Sequence, residues 1–143
     1  LKDGTRVILT ANSSISYYEN FNKKYRVVHL EGEAYFETRD ESDRPFIVIS
    51  QNITAFCRGK QFSISAYKDS NEINVISGAD QIEIAQNDRL NSENNKVAVQ
   101  SCQSFSFNKA SQQYLIGQVS DCDFNEKVRS MKKQVIPRTV TIL

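Results

Sequence analysis

Short runs that alternate apolar and polar residues recur along almost the whole chain, and this period of two constrains the fold more than any other feature. "TRVIL", "YRVVHL", "EAYFE", "PFIVIS", "ITAFCR", "QFSISAY", "EINVIS", "QIEIA", "KVAVQ" and "SFSF" are all rich in β-branched or aromatic residues. Asn, Asp, Ser or Gly separate them, as tight turns require. The pattern is clearest where Phe62, Ile64 and Ala66 interleave with Ser63, Ser65 and Tyr67. One face there is predicted buried and the other wet. Many short strands at regular spacing predict an all-β fold, a β-sandwich or a short β-helix-like roll.

The turns have local causes. Asp3-Gly4 is a strong turn pair. "RDESDRP" is a charged loop ending at Pro45, and a proline is tolerated at the start of the strand that begins with Phe46. Gly32 is the expected bend between "YRVVHL" and "EAYFE", and Gly59 a turn or bulge before "QFSISAY". One segment departs from the alternation. "DFNEKVRSMKK" puts Phe124, Val128 and Met131 at i, i+4 and i+7, a helical face. Asp123 and Glu126 have capping-box spacing, and Pro137 lies just past the end. The chain is therefore divided into a β domain over residues 1–108 and a small strand-helix-strand extension over 109–143.

The 143 residues suit one domain with such an appendage, and 39% hydrophobic residues suffice for a core. Net charge is +1, and no basic block exceeds a Lys-Lys pair. Nucleic-acid binding needs a basic stripe to neutralise phosphates, so that class is set aside. No apolar run approaches the roughly 20 residues that span a bilayer, so no direct membrane insertion by this chain is expected. The sequence opens at Leu1 in a turn-like "KDGT" and is read as a piece of a longer protein.

Catalytic and metal chemistry fail on inventory. His29 is the only histidine, which rules out a multi-His metal site, and no GxSxG, HExxH or Gly-rich phosphate loop is present. No catalytic residue, cofactor or metal is expected. Cys57, within "ITAFC", reads as a buried small hydrophobe, while Cys102 and Cys122 are either one disulfide or two free thiols. In "VHLEGEAYFE", Glu33, Tyr35 and Glu37 share one strand face and Ala34 and Phe36 the other. The glutamates are thus expected on the outer surface, not paired across a sugar cleft.

Taken in order, "LKDGTRVILTANSSISYYENF", "YRVVHLEGEAYFE", "RPFIVIS" and "TAFCRGKQFSISAY" resemble the FecR domain, over about residues 1 to 85. Gly4, Gly32, Glu33, Phe36, Pro45, Phe46, Gly59 and Phe62 are the positions that carry the turn and strand motifs. The resemblance implies a binding protein and not an enzyme. It implies the periplasmic sensor part of a single-pass anti-sigma factor, with the membrane anchor and sigma-binding segment upstream of Leu1. The implied partner is the signalling domain of an outer-membrane TonB-dependent receptor. The spelling "GEAYFE" looks most like the Bacteroidetes branch. One departure has a chemical consequence. Some family members cleave themselves at a Gly-Thr bond, where the hydroxyl attacks the preceding carbonyl. Gly59 is followed here by Lys60, which has no hydroxyl, so no self-cleavage is expected; two fragments split there in an intact-mass spectrum of freshly expressed protein would refute this.

A partner could add a strand to an exposed edge. Tyr114, Leu115 and Ile116 in "QYLIGQV", with Val140 and Ile142 in "RTVTIL", are the candidate contact residues. The competing reading is that these two strands pair with each other and hold the helix. Two other functions compete with signalling. A carbohydrate- or surface-binding β-module would need aromatic platforms; Trp is absent, but six Tyr are present. An enzyme on a jelly-roll or cupin-like scaffold is disfavoured by the single histidine.

Overall fold

A computed structural model of the chain describes residues 4–18, 25–39, 44–57, 61–78, 81–87 and 95–120, together with the backbone of 138–142. Among these residues the chain forms β1 (Arg6–Leu9), β2 (Ser13–Tyr17), β3 (Arg26–Glu37), β4 (Phe46–Ile49), β5 (Ile53–Cys57), β6 (Gln61–Ala66), β7 (Glu72–Ser77), β8 (Ile82–Gln86), β9 (Val97–Val99), β10 (Gln103–Asn108), β11 (Gln113–Gln118) and β12 (Arg138–Ile142). The all-β expectation holds. The expected helix over 123–133 lies outside the described residues, as do Gly59, Lys60 and Cys122.

The strands form one sheet folded on itself, and β3 is its hinge. The second half of β3 pairs with β1 and β6, and the sheet continues through β7 and β10 to β11. The first half pairs with β2 and β4, and continues through β5 and β8 to β9. We call these halves sheet A and sheet B. β9 of sheet B comes back into contact with β10 of sheet A, so the roll nearly closes. Pairing is antiparallel except for β3 with β4 and β12 with β2.

"VHLEGEAYFE" is thus not two strands meeting at a turn but the middle of one long, bent strand. Gly32 sits at the bend with φ +98°, a conformation that glycine alone adopts without steric cost. A Cβ there would lie 2.3 Å from Ser13 Oγ and 2.8 Å from Ser13 Cα. The absence of a side chain lets the β1–β2 turn cross close over β3. The Glu33 amide then donates to Ser13 Oγ at 2.8 Å, and the Thr10 amide donates to the Glu33 carbonyl at 3.0 Å.

Parity along β3 survives the bend. Val28, Leu30, Ala34 and Phe36 are buried, while His29, Glu31 and Glu37 are exposed. Phe36 stacks on Phe62 with centroids 4.8 Å apart, and Phe46 meets both rings edge-on at 5.7 and 6.4 Å. Each aromatic pair adds about 0.5–1.5 kcal/mol beyond its buried area. This triad joins the two sheets through β3, β4 and β6. Gly4 has φ +89° and Pro45 immediately precedes β4, as expected of turn positions. Arg26 shares the inward parity of Val28 and is buried. Its guanidinium donates to the Arg44 and Arg39 carbonyls at 2.8 and 3.0 Å and lies 5.6 Å from the Phe46 ring centroid.

Two expectations need correction. Ser63, expected on the wet face, is buried: it pairs across the sheet with Tyr35 on one side and Ile76 on the other, and bulky neighbours shield a small side chain. The strands of 113–118 and 138–142 do not pair with each other. β11 extends sheet A from β10, and β12 lies parallel to β2 in sheet B.

Candidate functional site

The outward glutamates are held in separate places. Glu31 pairs with Lys68 at 3.0 Å and Glu37 with Arg6 at 3.6 Å. Glu33 hydrogen-bonds Tyr35, whose phenol is pushed above its usual pKa by burial first, and then by the charge and hydrogen bond of Glu33. His29 is exposed at the rim of a cavity of about 240 Å³, beside Ser14, Ser16 and Glu31. Among the described residues no group of three or more His, Cys, Asp or Glu could hold a metal ion.

The most distinctive surface is the β10–β11 hairpin. Leu115 is 77% exposed, Tyr114 43% and Ile116 40%. Register explains their different surroundings. Tyr114 and Ile116 stand opposite the buried Phe107 and Phe105, on the core-facing side, where they extend the apolar rows past the edge of the core. Leu115 stands opposite Ser106 on the outward side. Tyr114 is also stacked on Phe105, with centroids 5.2 Å apart and planes 22° apart.

Neither strand of the hairpin carries a charged residue: they read QSFSFN and QYLIGQ. Exposed strand edges are ordinarily blunted by charges, prolines or bulges, and β11 has none of these. Among the described residues it pairs only with β10.

The hairpin is pinned at both ends. At its turn, Lys109 Nζ donates to Gln51 Oε1 at 2.7 Å, to the Tyr67 carbonyl at 2.8 Å and to the Lys68 carbonyl at 3.4 Å. Its backbone amide donates to the Asn71 carbonyl at 2.9 Å. At the base, the Cys102 amide donates to the Ser77 carbonyl at 2.8 Å, and the Val119 amide donates to the Cys102 carbonyl at 2.9 Å. Cys102 is also held in a disulfide, whereas Cys57 is free and buried.

Of the candidate contact residues, Tyr114, Leu115 and Ile116 are thus exposed together on one strand. Val140 and Ile142 stand in β12 opposite Ile15 and Tyr17, on the far side of sheet B from β9. Sequence reading missed the Lys109 clamp, which no local pattern announces. It also missed Gln86, although "IEIAQ" places that amide at the core-facing parity of Ile82 and Ile84.

These features define an all-β domain, a roll of two sheets around one aromatic core with an uncharged strand open at one edge. The chain belongs to the FecR protein family, which it matches over residues 1–79. The fold also resembles two crystal structures of a protein from Parabacteroides distasonis ATCC 8503, provisionally described as an anti-sigma factor. The first is 23% identical with a TM-score of 0.78, the second 22% identical with a TM-score of 0.76. Each likeness covers 90% of this chain and 57% of the other. No curated protein matches the chain.

Proposed function

We propose that this domain is the signal-receiving periplasmic part of a membrane-anchored anti-sigma factor. It binds the signalling domain of an outer-membrane TonB-dependent receptor and thereby regulates an extracytoplasmic-function sigma factor. Membership of the FecR family carries this reading, and the description of the Parabacteroides distasonis protein is in keeping with it. The sigma factor is contacted by a segment upstream of Leu1, which also anchors the protein. Among the described residues no helix is long and apolar enough to cross a membrane. The domain works by binding and performs no catalysis.

The receptor domain docks on β11, where main-chain groups supply affinity and Tyr114, Leu115 and Ile116 supply contact. Val140 and Ile142 contribute if the partner also reaches β12. A pinned strand loses little entropy on binding, which favours the hairpin as a docking element.

Calorimetry of the purified chain with the signalling domain of the TonB-dependent receptor encoded beside it tests the proposal, with an unrelated receptor's domain as control. Saturable binding to the neighbour alone is expected. Leu115→Asp and Tyr114→Ala should weaken it at least tenfold while leaving the melting curve in place. No binding to a demonstrably folded partner would reject the function, and unchanged affinity in both variants would reject the surface.

A further inference from the structure

A cavity of about 210 Å³ opens at the seam where the roll fails to close, between β8–β9 of sheet B and β10–β11 of sheet A. Its existence follows from strand lengths. β9 pairs with β8 only from Ile82 to Ile84, so among the described residues Gln86 runs on past the last pair without a strand neighbour on that side. The apolar rows of sheet A meanwhile continue out to Tyr114 and Ile116. Ile84, Val97 and Phe105 give the cavity an apolar lining, with the Tyr114 ring braced against Phe105. Gln86 and Asn95 bring two side-chain amides to the same space.

Three properties of this space select a ligand class. First, among the described residues its lining holds one charged side chain, Lys96, whose charge is engaged elsewhere. Lys96 lies at its border, but the Lys96 ammonium is 4.5 Å from the Phe56 ring centroid and 4.0 Å from Glu83 Oε2. Phe56 and Glu83 are a cross-strand pair on the outward face of sheet B, so the charge is turned away from the cavity. Second, among the described residues neither amide, nor the Tyr114 hydroxyl, has a hydrogen-bond partner, although Gln86 and Asn95 are half-buried. A hydrocarbon filling the space would strand these groups, which is costly for buried polar atoms. Third, the volume is below the roughly 300–1,000 Å³ of pockets for drug-sized ligands, so the cavity takes a single ring.

We propose that the seam cavity binds one neutral hexopyranose, either free or as the end of a glycan. A pyranose has an apolar C–H face to lie against the Tyr114 ring, which Phe105 braces from behind, and a rim of hydroxyls that can both accept from and donate to the Gln86 and Asn95 amides. It carries no charge that the cavity would leave unpaired. The site shares Tyr114 with the receptor-docking strand, whereas Leu115, on the outward side, and Gln86, inside the cavity, each belong to one of the two alone.

The test is a ¹H–¹⁵N correlation titration of the whole 143-residue chain with glucose, galactose, mannose and N-acetylglucosamine in turn. At least one sugar should give saturable shifts at the Gln86 and Asn95 side-chain amides and in β11. Tyr114→Ala and Gln86→Ala should each weaken that binding about tenfold, a loss of about 1.4 kcal/mol, with an unchanged melting curve. Leu115→Asp should leave it unchanged. The proposal is overturned if none of the four sugars gives saturable shifts at these positions. It is equally overturned if the shifts persist at full affinity in both cavity variants, or if free phenylalanine saturates the same resonances more tightly than every sugar.

Discussion

The Tyr67 hydroxyl lies 2.7 Å from Thr10 Oγ1, across 57 residues of sequence, and donates to the Ala11 carbonyl at 3.0 Å. It therefore plugs the β1–β2 turn at the point where that turn crosses β3. The Tyr67 carbonyl accepts from Lys109 Nζ. One residue thus ties the crossing at Gly32 to the clamp on the β10–β11 hairpin.

Tyr67→Phe removes the hydroxyl and leaves the ring. The Ala11 carbonyl loses one of its two donors and keeps Ser13 Oγ at 3.2 Å, so a loss of about 0.5–1.5 kcal/mol is expected. Urea unfolding followed by circular dichroism measures it. No change in midpoint would show that water replaces the hydroxyl without penalty.

Gly32→Ala meets two obstacles, the positive φ and the backbone and side chain of Ser13. A destabilisation of about 2–4 kcal/mol is expected. Adding Ser13→Gly should recover part of it by clearing the side-chain clash, while the φ penalty and the lost Ser13 hydrogen bond persist. A Gly32→Ala protein with wild-type stability would contradict the crossing geometry.

Lys109→Met keeps the length of the side chain and removes the three donated hydrogen bonds. Hydrogen exchange should quicken at the hairpin turn and along β10–β11, with a global loss of about 1–2 kcal/mol. If exchange quickens only in the core strands β5 and β6, Lys109 is not the clamp that pins the docking strand.

Alkaline pH should weaken the fold. Burial raises the Cys57 thiol well above its ordinary value, with Arg26 opposing, and burial together with Glu33 raises the Tyr35 phenol. The native state therefore holds protons that the unfolded chain releases. Stability is fully present below the unfolded values of about 8.5 and 10 for these groups, and falls as pH rises above them. Urea midpoints measured from pH 7 upward should begin to fall near pH 9. Cys57→Ala should flatten the first part of that decline, and an equal slope in the variant would assign it to other groups.

Alternation made most of the strands legible. "QFSISAY" and "EAYFE" show which side chains face inward because a side chain's face depends only on its position within the strand. β2 escaped this reading. "SSISY" holds one strong apolar residue, and Ser13 is buried only because Gly32 lets it approach β3. The Lys109 clamp escaped for a related reason, since its acceptors lie about 40 to 58 residues away in sequence. The arginine at the inward parity of β3 was readable in principle, but a charge at a core position becomes plausible only once the carbonyls that receive it are known.

What the sequence alone determined is the local layer: strand-forming runs, their inward faces, turn positions such as Gly4 and Pro45, and the motif order of the family. These depend on neighbours in the chain. Tertiary structure alone decided that β3 bends through both sheets instead of turning back, that β11 and β12 join opposite sheets, and that two amides and a phenol meet at the seam. Those outcomes depend on which distant strands pair and how far each extends. Such pairings are chosen by the packing of the whole core, and no local window of residues contains that information.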